Sequence, residues 1–165
     1  MSKIDREDIS IRTELRPGDL GYVLYRHGEL YARESGFGRQ FEIYVARGLC
    51  EFAERYDPER DRVWACEPEG RMVGFLLAMD RGDAIQLRYL LIEPEYRGIG
   101  LGSKLMGLFA LFMREKDYGK AYLWTTEEQA SAIRLYASLG FRLVEEKAST
   151  SFGRPLVERR YDLQL

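Results

Sequence analysis

"LLIEPEYRGIGLGSKLM", Leu90–Met106, passes from an apolar run through three glycines at alternate positions, Gly98, Gly100 and Gly102, into a segment with helical spacing. A strand-to-helix corner needs one glycine to turn; three imply that something approaches the backbone closely. The N–H groups that open a helix lack partners within it and carry a partial positive charge, and glycines leave them uncovered. Gly98–Ser103 is therefore expected to cradle a phosphate. Two familiar phosphate loops do not fit. A P-loop places Lys directly after its last Gly, whereas Ser103 precedes Lys104, and the dinucleotide fingerprint wants a third Gly where Ser103 stands. The alternative is that the glycines only let a helix pack closely on a strand.

Around this corner the pattern alternates between strand and helix. "ISIRTEL" (Ile9–Leu15) alternates like a half-buried strand, and Asp19 after Pro17-Gly18 is a natural N-cap. The helical stretch that follows contains Gly28, Gly36 and Gly38 and reads as two short helices. "QFEIYVARGLCEFAERY" is a longer amphipathic helix with Phe41, Tyr44, Val45, Leu49 and Phe52 on one face, stopped near Pro58. From Arg62 the period becomes two, giving three strands turned at Gly70 and Gly82, the last ending at Pro94. Beyond the glycines, Leu101, Leu105, Leu108, Phe109 and Phe112 recur at helical spacing. "KAYLWTT" is a strand, "QASAIRLYASLG" a helix closed by Gly140, and "FRLVEEK" and "LVERRYDLQL" two final strands. Such an order predicts a mixed sheet carrying helices, an α/β or α+β fold.

The 165 residues, 45% hydrophobic, suit a single domain spanning 1–165. A net charge of −2 gives no basic face for nucleic acid. Cys50 and Cys66 lack metal-ligand spacing to each other or to His27, the one histidine; no metal is expected, and both cysteines read as small buried residues. The charged start "MSKIDREDISIR" lacks the apolar core of a signal peptide, and no apolar run nears the roughly 20 residues of a membrane span. A cytoplasmic protein without a membrane partner is expected.

"PEYRGIGLGSKL" resembles the signature of the GNAT N-acetyltransferases, Arg/Gln-x-x-Gly-x-Gly/Ala, met by Arg97, Gly100 and Gly102. "AIRLYASLGFRLVEE" resembles a second segment of that family, with Ala132, Tyr136, Gly140 and Phe141 on its matching positions. "RPGDLGYVLYRHGELYARESGF" is similar to the acetyltransferase domain often fused behind MarR-type winged helices, although the sequence preceding it is too short to hold one. The resemblance implies the GNAT fold: a mostly antiparallel sheet of about seven strands, splayed between the fourth and fifth, with about four helices.

By that resemblance the co-substrate is acetyl-CoA and the acceptor a primary amine of a small molecule or amino acid. The pyrophosphate would lie on Gly98, Ile99, Gly100, Leu101, Gly102 and Ser103, with Arg97 and Lys104 adding charge. The pantetheine arm would follow Leu90, Leu91 and Ile92, and Gln129 stands where relatives often carry an Asn that contacts the arm. A backbone N–H at Leu90 or Leu91 is the implied oxyanion donor, and Tyr136 the implied donor to the departing sulfur. No base is evident. Deprotonating an amine of pKa near 10 costs about 4 kcal/mol at neutral pH, and Gln86 occupies the position where some relatives place a carboxylate. Glu29, His27, Glu127 or Glu128 acting through water are the options. His27, Glu29, Tyr31 and Arg88 are the acceptor-side candidates, Arg88 suiting a substrate carboxylate unless it pairs with a neighbouring Glu. A non-catalytic acyl-CoA sensing module linked to a regulator is the alternative reading, acetylation of protein lysines a third. Homodimers are frequent in the family.

Overall fold

The computed structural model describes residues 4–165; the first three residues of the charged N-terminal stretch lie outside them. The elements follow in the order β1 (Ser10–Arg12), α1 (Asp19–Ser35), α2 (Arg39–Arg55), β2 (Arg62–Glu67), β3 (Gly74–Asp80) and β4 (Ile85–Ile92). Then come α3 (Leu101–Glu115), β5 (Lys120–Thr126), α4 (Ala130–Leu139), β6 (Arg142–Ser149) and β7 (Leu156–Gln164). The strands form one seven-stranded sheet, β1-β2-β3-β4-β5-β7-β6. All neighbours are antiparallel except β4 and β5, which are parallel and pair only at Ile85–Ala121 and Gln86–Tyr122. Past Gln86 the two strands part.

Each sheet face is covered by one helix pair. On one, Leu101, Leu105, Phe109 and Phe112 of α3 pack on Trp64, Leu87 and Leu123. On the other, Phe41, Val45, Leu49 and Phe52 of α2 pack on Phe75, Leu77 and Leu91. Each such side chain, fully buried, contributes about 1.5–3 kcal/mol, and β3 between the two layers is buried along its whole length.

Four local expectations are corrected. The segment after Asp19 is one helix, because α1 runs through Gly28 to a left-handed Gly36. Gly28 is instead where the helices touch, since a Cβ there would lie 2.6 Å from the Glu42 carboxylate. Asp19 is not the N-cap, a position Gly18 takes; its carboxylate accepts from both Arg12 terminal nitrogens (2.8 and 3.0 Å) and from the Arg16 N–H at 2.7 Å, tying α1 to β1. Tyr44 leaves the core face of α2 and is partly exposed beside Phe152. Cys50 is exposed, whereas Cys66 is buried and its thiol is pushed up to about 12 by desolvation.

Candidate active site

The three glycines divide two tasks. Gly98 (φ 78°) and Gly100 (φ 87°) adopt the left-handed backbone that side chains disfavour, turning the chain into α3. Gly102 has ordinary dihedrals and serves packing: a Cβ there would sit 2.9 Å from Leu135 of α4 and 3.4 Å from Ile92. Gly100 caps α3 without any side-chain hydrogen bond, so the first helical N–H groups stay open to an anion. The expected cations are both engaged. Arg97 donates to the Ile92 carbonyl at 3.0 Å and pairs with Glu34 at 2.8 Å on the groove's rim. Lys104 reaches the Arg6 carbonyl at 3.2 Å and Glu7 at 3.7 Å, outside the groove lining. Arg6 lies beside the loop, its Nη1 2.9 Å from where a Gly100 Cβ would be; nothing in its local sequence marked it.

From this loop a groove of about 600 Å³ runs between β4, the end of α1 and the start of α4. The strand edge along it is free because β5 has diverged. The Glu93 N–H bonds the Val73 carbonyl, just before β3, so the alternation of an antiparallel ladder points Leu91 toward β3 and leaves Leu90 and Ile92 facing the gap. Of the two oxyanion candidates, Leu90 is therefore the one presented, and Leu91 is not. A bulge opposite Phe75–Leu77 sits just before it, with Tyr89 in the left-handed region at φ 58°. This strained residue costs about 1–3 kcal/mol. The bulge sends Arg88 and Tyr89 to the same face, toward Gly48 of α2, where any Cβ would collide with both.

At Tyr31, Leu90 and Gln129 the groove meets a second, smaller chamber of about 90 Å³. Its walls are largely aromatic: Tyr44, Tyr89, Trp124, Tyr136 and Phe152, together with Phe37 and Phe41. Tyr136 is buried and lines the chamber. Desolvation holds that phenol protonated far above neutrality and lifts Tyr31 to about 12. Since a thiol titrates near 8.5, Tyr136 can stabilise a leaving thiolate by donating a hydrogen bond while the amine's own proton completes the thiol.

His27 is also in the wall, stacked on Tyr31 with ring centroids 5.6 Å apart. Its Nδ1 lies 2.9 Å from the Val23 carbonyl, an acceptor, so Nδ1 carries the proton. Burial drives its pKa down to about 4, which makes it a poor resting base for an ammonium. Glu29 does not reach the chamber, because Arg26 and Arg33 hold it on the outer side of α1. Gln86 lines the chamber, its amide oxygen accepting from Arg81 at 2.8 Å. Gln129 donates to Ser35 at 3.1 Å, joining α4 to α1 where the two spaces meet. Glu128 is paired with Arg154 at 2.5 Å on the rim.

Arg88 is nearly buried and makes no hydrogen bond to protein among the described residues. Glu51, 3.8 Å away, is already held by Arg81 at 2.5 Å, and the Arg88 guanidinium lies over the Tyr89 ring at 4.7 Å. Thr126 and Glu158, also in the chamber lining, were not anticipated.

A glycine-built anion loop thus leads along a free strand edge into an aromatic chamber. The Acetyltransferase (GNAT) family model matches residues 30–141, and the chain belongs to this family. Human N-acetyltransferase 8B is 34% identical over 85 residues, 48% of this chain and 37% of that protein. The N-acetylaspartate synthetase of Danio rerio is 33% identical over 85 residues, 50% of this chain and 30% of that one. The chain thus spans about a third of these relatives' lengths. Among solved structures, yncA of Salmonella typhimurium with its cofactor acetyl-CoA superposes with a TM-score of 0.73 at 21% identity, covering 96% of this chain and 94% of that one. Among the described residues no helix is long and apolar enough to cross a membrane, and no cluster of ligands fits a metal.

Proposed function

We propose that the chain transfers the acetyl group of acetyl-CoA to the primary amine of a small, amino-acid-like acceptor. The observation that carries this is the meeting of the groove and the chamber at Leu90, with Tyr136 buried in the same wall. The pyrophosphate takes the open N–H groups of α3, and the pantetheine arm adds to the free edge of β4 at Leu90 and Ile92. The amine attacks the thioester carbon from the chamber. The Leu90 N–H receives the developing oxyanion, and Tyr136 steadies the sulfur as the C–S bond breaks. Protons balance as the nitrogen loses its own to the thiolate and to solvent. Arg88, a cation without a bonded acceptor, suits an acceptor carboxylate. The N-acetylated amino acid in the name of the zebrafish relative supports that class.

The sensing alternative, which draws on the likeness of Arg16–Phe37 to domains accompanying MarR-type regulators, shares the groove but gives no role to a chamber with charged walls. A homodimer would have β6, the exposed edge strand, as its natural seam; light scattering tests it. For the catalytic reading the experiment is calorimetric titration with acetyl-CoA, CoA and NADH, followed by thiol release over an amine panel. Binding of both CoA species without NADH, then amine-dependent thiol release, is expected. Absence of acetyl-CoA binding overturns the reading.

A further inference from the structure

The far wall of the chamber, formed by β5 and β7, sets Thr126 and Glu158 in the same lining as Trp124. Thr126 is 4% exposed, and its Oγ1 is the one buried side-chain polar atom among the described residues without a hydrogen-bond partner. Directly opposite in the β5–β7 register stands Glu158, 7% exposed. Facing residues of an antiparallel pair hold their Cβ atoms about 5 Å apart, so the hydroxyl and the carboxylate share one patch. Glu158 has one weak partner, the Lys147 ammonium at 4.0 Å, from an edge strand and a half-exposed side chain. That ammonium also lies 4.4 Å from the centre of the Trp124 ring. A primary ammonium of the chain itself thus rests at the chamber's rim between a carboxylate and an aromatic face, the two partners such a cation prefers.

Building on the amine-acetylation reading above, we propose that Glu158 and Thr126 form the seat for the acceptor's ammonium group. Trp124 supplies the aromatic face, and Lys147 is displaced when the acceptor enters. Glu158 is then a specificity residue that selects cationic amines with an apolar body over neutral molecules of the same shape. Arg88 stands on β4, across the intervening β5, and belongs to a separate part of the acceptor.

The test is calorimetry on the CoA-saturated chain at about pH 7.5, comparing phenethylamine, which is cationic there, with 2-phenylethanol, which has the same body and no charge. The wild type is expected to favour the amine by about tenfold, Glu158→Gln to reduce that preference to within about twofold, and Lys147→Ala to tighten amine binding. A cross-strand ion pair with only a structural role predicts instead equal losses of melting temperature in Glu158→Gln and Lys147→Ala and an unchanged preference. Equal binding of both probes, binding of neither, or a preference that survives Glu158→Gln overturns the proposal. Should Glu158→Gln fail to fold, unchanged amine binding in Lys147→Ala does the same. If CoA itself does not bind, the acetyltransferase reading falls, and the amine–alcohol comparison on the free chain still judges the seat.

Discussion

Because the chain has a single histidine, the burial of His27 makes a clean pH experiment. Desolvation lowers its pKa from 6.5 to about 4, against the modest support of the Val23 carbonyl. The unfolded chain therefore takes up the proton first as pH falls. The stability is complete above pH 6.5 and is lost as pH falls through the window toward 4. From these two values, about 2 kcal/mol disappears between pH 7.5 and 5.0, and about 3 kcal/mol by pH 4. Glu51, Asp80 and Glu93, whose carboxyls are held below their ordinary range, add their own losses only at lower pH, which leaves the upper part of the window to the imidazole. In urea, with a slope of about 2 kcal/mol per molar, the unfolding midpoint should drop by about 1 M between pH 7.5 and 5.0. His27→Asn offers the Val23 carbonyl a donor that does not titrate, and its midpoint should be flat over the same range. An unchanged wild-type midpoint, or an equal drop in His27→Asn, would refute the claim that this imidazole is kept neutral by burial.

Three further outcomes are expected. Tyr136→Phe should lower kcat by about 10–100-fold while leaving acetyl-CoA affinity within about threefold, measured by thiol release and calorimetry; unchanged turnover would remove the Tyr136 hydroxyl from the chemistry. Gly100→Ala forces a side chain into the left-handed region against Arg6, so stability should fall by about 1–2 kcal/mol and acetyl-CoA binding by about tenfold, while Gly107→Ala, with open space around its Cβ, serves as the control. Arg88→Gln should raise KM about 10–100-fold for acceptors bearing a carboxylate and leave amines without one nearly unaffected; a uniform loss would mean that Arg88 only packs against Tyr89.

Legibility in the sequence followed the range of the interactions concerned. Gly98, Gly100 and Gly102 signal locally, because left-handed turns and close helix packing demand glycine within a few residues, and Tyr136 with Gly140-Phe141 sits at a fixed spacing on α4. The order of strands and helices was readable for the same reason. Gly28 misled because a helix-breaking residue in isolation becomes an asset when another helix crosses over it at Glu42. Asp19 misled because Arg12, seven residues earlier, claims its carboxylate.

The acceptor side was harder to read because it is assembled from segments distant in sequence. Thr126 and Glu158 become neighbours only through the β5–β7 register, and Arg88 faces the cleft only because the bulge places it on the same side as Tyr89. In "AIQLRYLL" no residue announces that bulge, since Tyr89 is not of a type that prefers a left-handed backbone. The compensation lies on α2, at Gly48, whose bare face accepts the displaced Tyr89 hydroxyl and Arg88 guanidinium. Position 48 in a helix otherwise gains about 1 kcal/mol from Ala over Gly, so retaining glycine there is a cost borne for the shape of the neighbouring strand. The same bulge aims the Leu90 N–H into the gap. Gly48 and Leu90 are thus parts of one device, in which a helix without a side chain at one point allows a strand to carry its strain.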